Sequence, residues 1–166
     1  MNARLAMNNT LYWLDRLSPW AFTGTLYLAR WAIIIPIGLI LRLLGTTGGN
    51  VTSKASAAVL LFGWIFLSPL LETAIECAIP YWLMLKARGV PDGKRPWGFV
   101  AVSAAIMVLL HMEAWPAAIL PSLLTGGFLG YTYGHFAIDG LNRAVLHTWS
   151  FHAAINIVGW VFVVAF

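Results

Sequence analysis

Long apolar stretches leave this chain few ways to fold. Residues 20–44, 57–85, 97–110, 117–138 and 144–166 are almost wholly hydrophobic. Between them lie a turn-prone run from Gly45 to Asn50, a basic loop at 86–96, a short segment from His111 to Pro116, and a polar turn at 139–143. A helix needs roughly 20 apolar residues to cross the hydrocarbon core, and it is favoured there because it satisfies its own backbone groups. The pattern predicts an all-α polytopic membrane helix bundle with about five transmembrane helices, forming a single integral-membrane domain over residues 1–166. Only 10% of the residues are charged, against about a quarter in an ordinary soluble domain, so lipid is the expected solvent and partner.

Within this frame the punctuation carries meaning. The second stretch holds Pro69 and Pro80 along with Glu72 and Glu76, and it is expected to be either a tilted, kinked helix or a helix with a break. The fourth carries Gly126, Gly130 and Gly134 at four-residue intervals, with Ser122 on the same face, a pattern that lets a neighbouring helix come close. Arg30, alone in the first stretch, is expected to snorkel to one interface. The ten Lys/Arg against six Asp/Glu fall largely in loops and at helix ends, so they read as topology signals and not as a nucleic-acid surface. Counting Arg4, Arg16, the loop at 86–96 and Arg143 on one side, the positive-inside rule places the N-terminus in the cytoplasm. Residues 1–19 show no cleavable signal pattern, and a compact chain of this kind fits a prokaryotic inner membrane. Cys77, the one cysteine, excludes an internal disulfide and a thiolate metal cluster.

Four polar side chains interrupt the apolar stretches or their ends: Glu72, His111, His152 and Asn156. Ionisable groups at membrane depth are costly to keep and by default mark a functional site. Glu72 and Glu76, four residues apart, are expected on one helix face, where a carboxylate can serve as a general base toward water. His152 and Asn156 share the same spacing on the last helix. An imidazole and a carboxamide side by side can donate to a developing oxyanion, or can simply clamp two helices together. His135 and His147 fit no pattern and are read as interfacial.

The run from Pro69 through Glu72 and Thr73, the spacing from Met107 to His111, and the spacing from His152 to Asn156 occur in an order that resembles the CPBP intramembrane proteases, the family of CAAX-prenyl proteases and bacteriocin-processing proteins. The glycine-rich segment from Gly127 to Tyr133 is similar to the helix that family places before its last histidine. The resemblance covers about residues 68–159. Thr73 stands where the family pattern has a second glutamate, Cys77 where it has an arginine, and Met107 where it has an aromatic residue. The resemblance implies an intramembrane endopeptidase acting on a hydrophobic peptide or a C-terminal membrane anchor. Glu72 with His111 would activate water, and His152 with Asn156 would hold the oxyanion. Glu76 is a secondary candidate for the missing carboxylate. No cofactor is required; the alternative is zinc or another divalent metal held by Glu72, His111 and His152.

Two other classes of function fit the same residues. One is a catalytically silent relative acting as an immunity factor or an accessory subunit of a membrane complex. The other is a proton-coupled carrier in which Glu72 and Glu76 relay protons, although a repeat of the kind expected for carriers is not evident.

Overall fold

The computed structural model of the chain describes residues 13–45, 61–88, 97–112 and 118–165. Most of the loops expected at 45–56 and 86–96 lie outside these residues, as do Glu113 to Pro116, Arg4, Lys54, Lys94 and Arg95, and with them several of the charges behind the expected orientation. Among the described residues the chain is all-α, with five helices. They are α1 (Pro19–Leu43), α2 (residues 61–88), α3 (Trp97–Leu110), α4 (Ile119–Ala137) and α5 (Leu141–Ala165), preceded by a 3₁₀ turn at Leu14–Arg16. Each expected apolar stretch therefore corresponds to one helix. The last begins at Leu141 and not at Ala144, because Gly140, at φ +139°, reverses the chain in fewer residues than expected. Among the described residues one helix, over Pro19–Leu41, is long and apolar enough by itself to cross a membrane, and Trp97–Leu110 is a shorter apolar helix.

The two prolines of α2 neither break the helix nor leave it regular. A π-helical turn, Gly63–Leu67, precedes Pro69, and a second, Ala74–Ala78, precedes Pro80. A proline ring collides with the carbonyl four residues back and offers no N–H to it, and a wider turn with i→i−5 bonding accommodates the misfit. The Ser68 N–H accordingly bonds the Gly63 carbonyl, and the Ile79 N–H bonds the Ala74 carbonyl. The Trp64 carbonyl then loses both local partners. Its α-helical donor Ser68 is committed to Gly63, and the residue five along is Pro69, which has no N–H.

The closest helix pair is α3 against α4, running antiparallel. A β-carbon at Gly126 would lie 2.6 Å from the Met107 β-carbon and 2.8 Å from the Ala104 α-carbon, and one at Gly130 would lie 2.7 Å from the Ser103 β-carbon. These distances are inside van der Waals contact, so Gly126 and Gly130 of the expected glycine seam lie directly against α3. The antiparallel register sets the His111 end of α3 beside the start of α4.

Helix α1 lies across α4 and α5. Phe22 is fully buried and stacks on His135 with 4.0 Å between ring centroids. The Tyr27 hydroxyl donates to the Ala154 carbonyl at 3.3 Å. His147 places Nδ1 3.2 Å from the Thr23 hydroxyl and stacks on Phe136 at 4.2 Å. His135 lies 3.6 Å from Asp15. Both histidines are buried inside the bundle, His135 in the last turn of α4 and His147 near the start of α5. Aromatic neighbours on α1 and α4 cover their rings, which sequence spacing along one helix does not reveal.

The seam yields a paired test. Gly126→Ala forces a β-carbon against the α3 backbone and should cost about 1–3 kcal/mol, as overpacking does, seen as a melting temperature in detergent lowered by several degrees. Gly127, with nothing within 4 Å of its position, should accept alanine with no loss. Equal melting temperatures for the two variants would mean that the seam is not a close contact.

Candidate active site

One cavity of about 540 Å³ receives a wall from every helix, and Glu72, His111, His152 and Asn156 all line it. Residues on α2, α3 and α5 that are far apart in sequence thus meet in one place. The register that brings them together is antiparallel for α2 and α5, since Asn156 reaches Trp64 and His152 reaches Glu72.

At its centre His152 Nε2 lies 3.2 Å from Glu72 Oε2, with the imidazole almost wholly buried and the carboxylate side chain 20% exposed. The Ser68 hydroxyl, one turn earlier on α2, donates to Glu72 Oε1. One carboxylate oxygen is therefore held by a neighbour on its own helix and the other by a histidine across the interface, which fixes the rotamer of Glu72. His152 Nδ1 has no partner among the described residues. The resemblance to the protease family implies a partnership of Glu72 with His111, but the direct contact here is with His152.

His111 sits just past the end of α3, half-buried, with Nδ1 3.0 Å from the Met107 carbonyl. A carbonyl only accepts, so Nδ1 carries the proton in that bond and Nε2 remains as the acceptor nitrogen of the neutral ring. The backbone thus selects a tautomer suited to taking a proton.

Asn156 Nδ2 donates to the Trp64 carbonyl at 2.8 Å. That carbonyl is the one Pro69 and the π turn deprive of a local donor, so the carboxamide repairs a backbone defect in α2. Its oxyanion role, as the spacing suggested it, has to share the side chain with this clamp; one of the two amide hydrogens is committed. The Trp149 indole makes a similar bond to the Phe66 carbonyl at 3.3 Å.

Glu76 does not join Glu72 in the cavity wall. It is completely buried, and neither carboxylate oxygen has a hydrogen-bond partner among the described residues. The two carboxylates stay within electrostatic reach of each other, in keeping with their four-residue spacing, but only Glu72 reaches the cavity wall. The π turn that starts at Ala74 changes the angle per residue between the two, and helices α3 and α4 pack over it. Cys77, also buried, lies 3.4 Å from the Ser103 hydroxyl.

The metal alternative fares poorly on geometry. Among the described residues no group of three or more His, Cys, Asp or Glu side chains is placed to hold a metal ion, so Glu72, His111 and His152 as they stand do not form a ligand set.

Sequence reasoning missed one member of the cavity. Arg30, expected at an interface, is 6% exposed and lines the same cavity as Glu72 and His152. Its Nε and Nη2 both donate to the Thr125 hydroxyl, at 3.1 and 3.0 Å. The signal available was a lone arginine in the middle of an apolar stretch, the same signal that singled out Glu72.

Comparison with protein-family models, with curated proteins and with solved structures found no match to this chain.

Removing the clamp should register as stability. Asn156→Ala leaves the Trp64 carbonyl without a donor and should cost about 1 kcal/mol, the usual worth of such a bond, measured as a lower melting temperature in detergent. An unchanged melting temperature would show that the bond carries no weight in the fold.

Proposed function

We propose that this protein is an intramembrane endopeptidase that hydrolyses a peptide bond with a carboxylate-activated water. The observation that carries the reading is the Glu72–His152 contact inside a cavity that also has His111 and Asn156 in its walls. A carboxylate oriented by Ser68 and His152 takes a proton from a water molecule as that water adds to the scissile carbonyl. His111 lines the same cavity, and its acceptor nitrogen can relay the proton to the departing amine. His152 and Asn156, which line the same cavity, donate to the carbonyl oxygen as it gathers charge. Glu76, enclosed and outside the cavity wall, has no direct part in these steps.

The membrane setting is part of the proposal, with five helices in the bilayer. It is supported by the apolar surface that α1 and α2 turn outward, where Leu28, Ile35, Leu39, Leu43, Phe62 and Leu71 are all exposed. Apolar patches of this extent are rare on monomers solvated by water. The substrate class follows from the same setting, since an apolar peptide or membrane anchor reaches such a cavity laterally from lipid.

The test is cleavage of a library of hydrophobic peptides by the purified protein in detergent. Glu72→Gln keeps the size of the side chain and should reduce turnover to below a few per cent while the helical circular dichroism stays the same. Glu76→Gln should retain most of the activity. Wild-type levels of cleavage by the Glu72 variant, or no cleavage of any peptide by the wild type, would overturn the reading.

A further inference from the structure

Burying an arginine without a carboxylate is costly, because a guanidinium removed from water needs either an opposite charge or a full set of acceptors. Arg30 has neither. Among the described residues no Asp or Glu lies within ion-pair distance of it, although Glu72 lines the same cavity. Its Nη1 has no hydrogen-bond partner among the described residues. Nor is the side chain loosely placed. Nε and Nη2 converge on the Thr125 hydroxyl, which in turn donates to the Pro121 carbonyl at 2.8 Å. The guanidinium also lies 4.7 Å from the centre of the Trp31 ring, a distance at which a cation is attracted to an aromatic face. A cation fixed in orientation, short of one partner, and sharing a cavity with a carboxylate it does not pair with is a receptor for an anionic oxygen that arrives from elsewhere.

We propose that Arg30 is a further catalytic residue of this cavity and that the anion it meets is the oxyanion formed at the scissile carbonyl. The inference rests on the hydrolase reading above and supplies what Asn156 gives only in part, because one Asn156 amide hydrogen is already committed to the Trp64 carbonyl. In the addition step the water oxygen bonds to the carbonyl carbon, one water proton passes to Glu72, and the π pair of the C=O bond becomes the negative charge on oxygen, where the guanidinium donates to it. In the collapse the C=O bond re-forms, the C–N bond breaks, and the proton goes to the leaving amine. The sum is one peptide and one water converted to an acid and an amine. A donor of this kind helps only as charge develops, so it acts on turnover and not on substrate affinity.

The experiment compares two apolar peptides of identical sequence, one with a tetrahedral phosphonate at the scissile position and one with the ordinary amide. Their binding is measured by fluorescence anisotropy, the amide peptide in a Glu72→Gln background so that it persists. Arg30→Gln should weaken phosphonate binding by roughly 100-fold to 1000-fold, in step with the fall in kcat that loss of one oxyanion donor brings. It should change amide-peptide affinity and KM by less than about threefold. Arg30→Lys, which keeps the charge, should recover part of both losses and guards against a folding defect in the first variant. Equal weakening of both peptides, or phosphonate binding indifferent to residue 30, would overturn the assignment. Dodecyl phosphate is the control for a lipid headgroup: if it binds as tightly as the phosphonate peptide and depends equally on Arg30, the site is a headgroup site and the oxyanion role falls. Cleavage that persists at the wild-type rate in Arg30→Gln would sink this inference and leave the hydrolase standing. Arg30-dependent phosphonate binding in a wild-type protein that cleaves nothing would keep Arg30 as an anion receptor, but its catalytic assignment would fall with the hydrolase reading.

Discussion

Backbone hydrogen bonding around Pro69 is the constraint on which the rest of the site depends. The proline forces a wide turn in α2, the wide turn takes the Ser68 N–H away from the Trp64 carbonyl, and the orphaned carbonyl is met by Asn156 from α5. In an apolar setting a missing backbone partner cannot be made good by bulk water, so the repair has to come from another helix. That repair sets the register between α2 and α5, and the same register brings Glu72 to 3.2 Å from His152. A substitution that relaxed α2 into a regular helix would restore the local bond and remove the need for the clamp.

The second constraint is steric. Gly126 and Gly130 let α4 approach α3 more closely than any side chain allows, and this places Thr125, next to Gly126, and Met107, which faces Gly126, at the edge of the cavity. Thr125 then holds Arg30, and Met107 offers its carbonyl to His111. Pro69, Gly126 and Gly130 thus help position Glu72, Asn156, Arg30 and His111, although none of the three carries chemistry.

The polar content of the interior is unusual for so apolar a chain. Glu72, Glu76, Arg30, His111 and His152 are all partly or wholly removed from solvent, and several of their polar atoms have no partner among the described residues. Each such group costs stability, so a fold selected for stability alone would have replaced them with aliphatic residues. All of them except Glu76 line one cavity, so most of that cost is concentrated in a single place.

Much of this was legible in one dimension. The five helices follow from the length of the apolar stretches and the placement of Gly45, Gly140 and the basic loops, because hydrophobic pattern and turn chemistry act locally. The glycine seam was legible for the same reason, since a four-residue repeat on a helix is a face. Glu72, His111, His152 and Asn156, which line one cavity, stood out in the sequence because of the cost of burying them. What they touch was not legible. The pairing of Glu72 with His152, the commitment of Asn156 to a carbonyl, the enclosure of Glu76, the stacking of His135 and His147 and the inward turn of Arg30 each depend on which helix lies opposite and in which register. A sequence determines which side chains must be hidden from water or lipid. The packing of one helix against another decides the partner each of them finds, because hydrogen bonds and ring contacts act over a few ångströms and between residues that the chain itself keeps far apart.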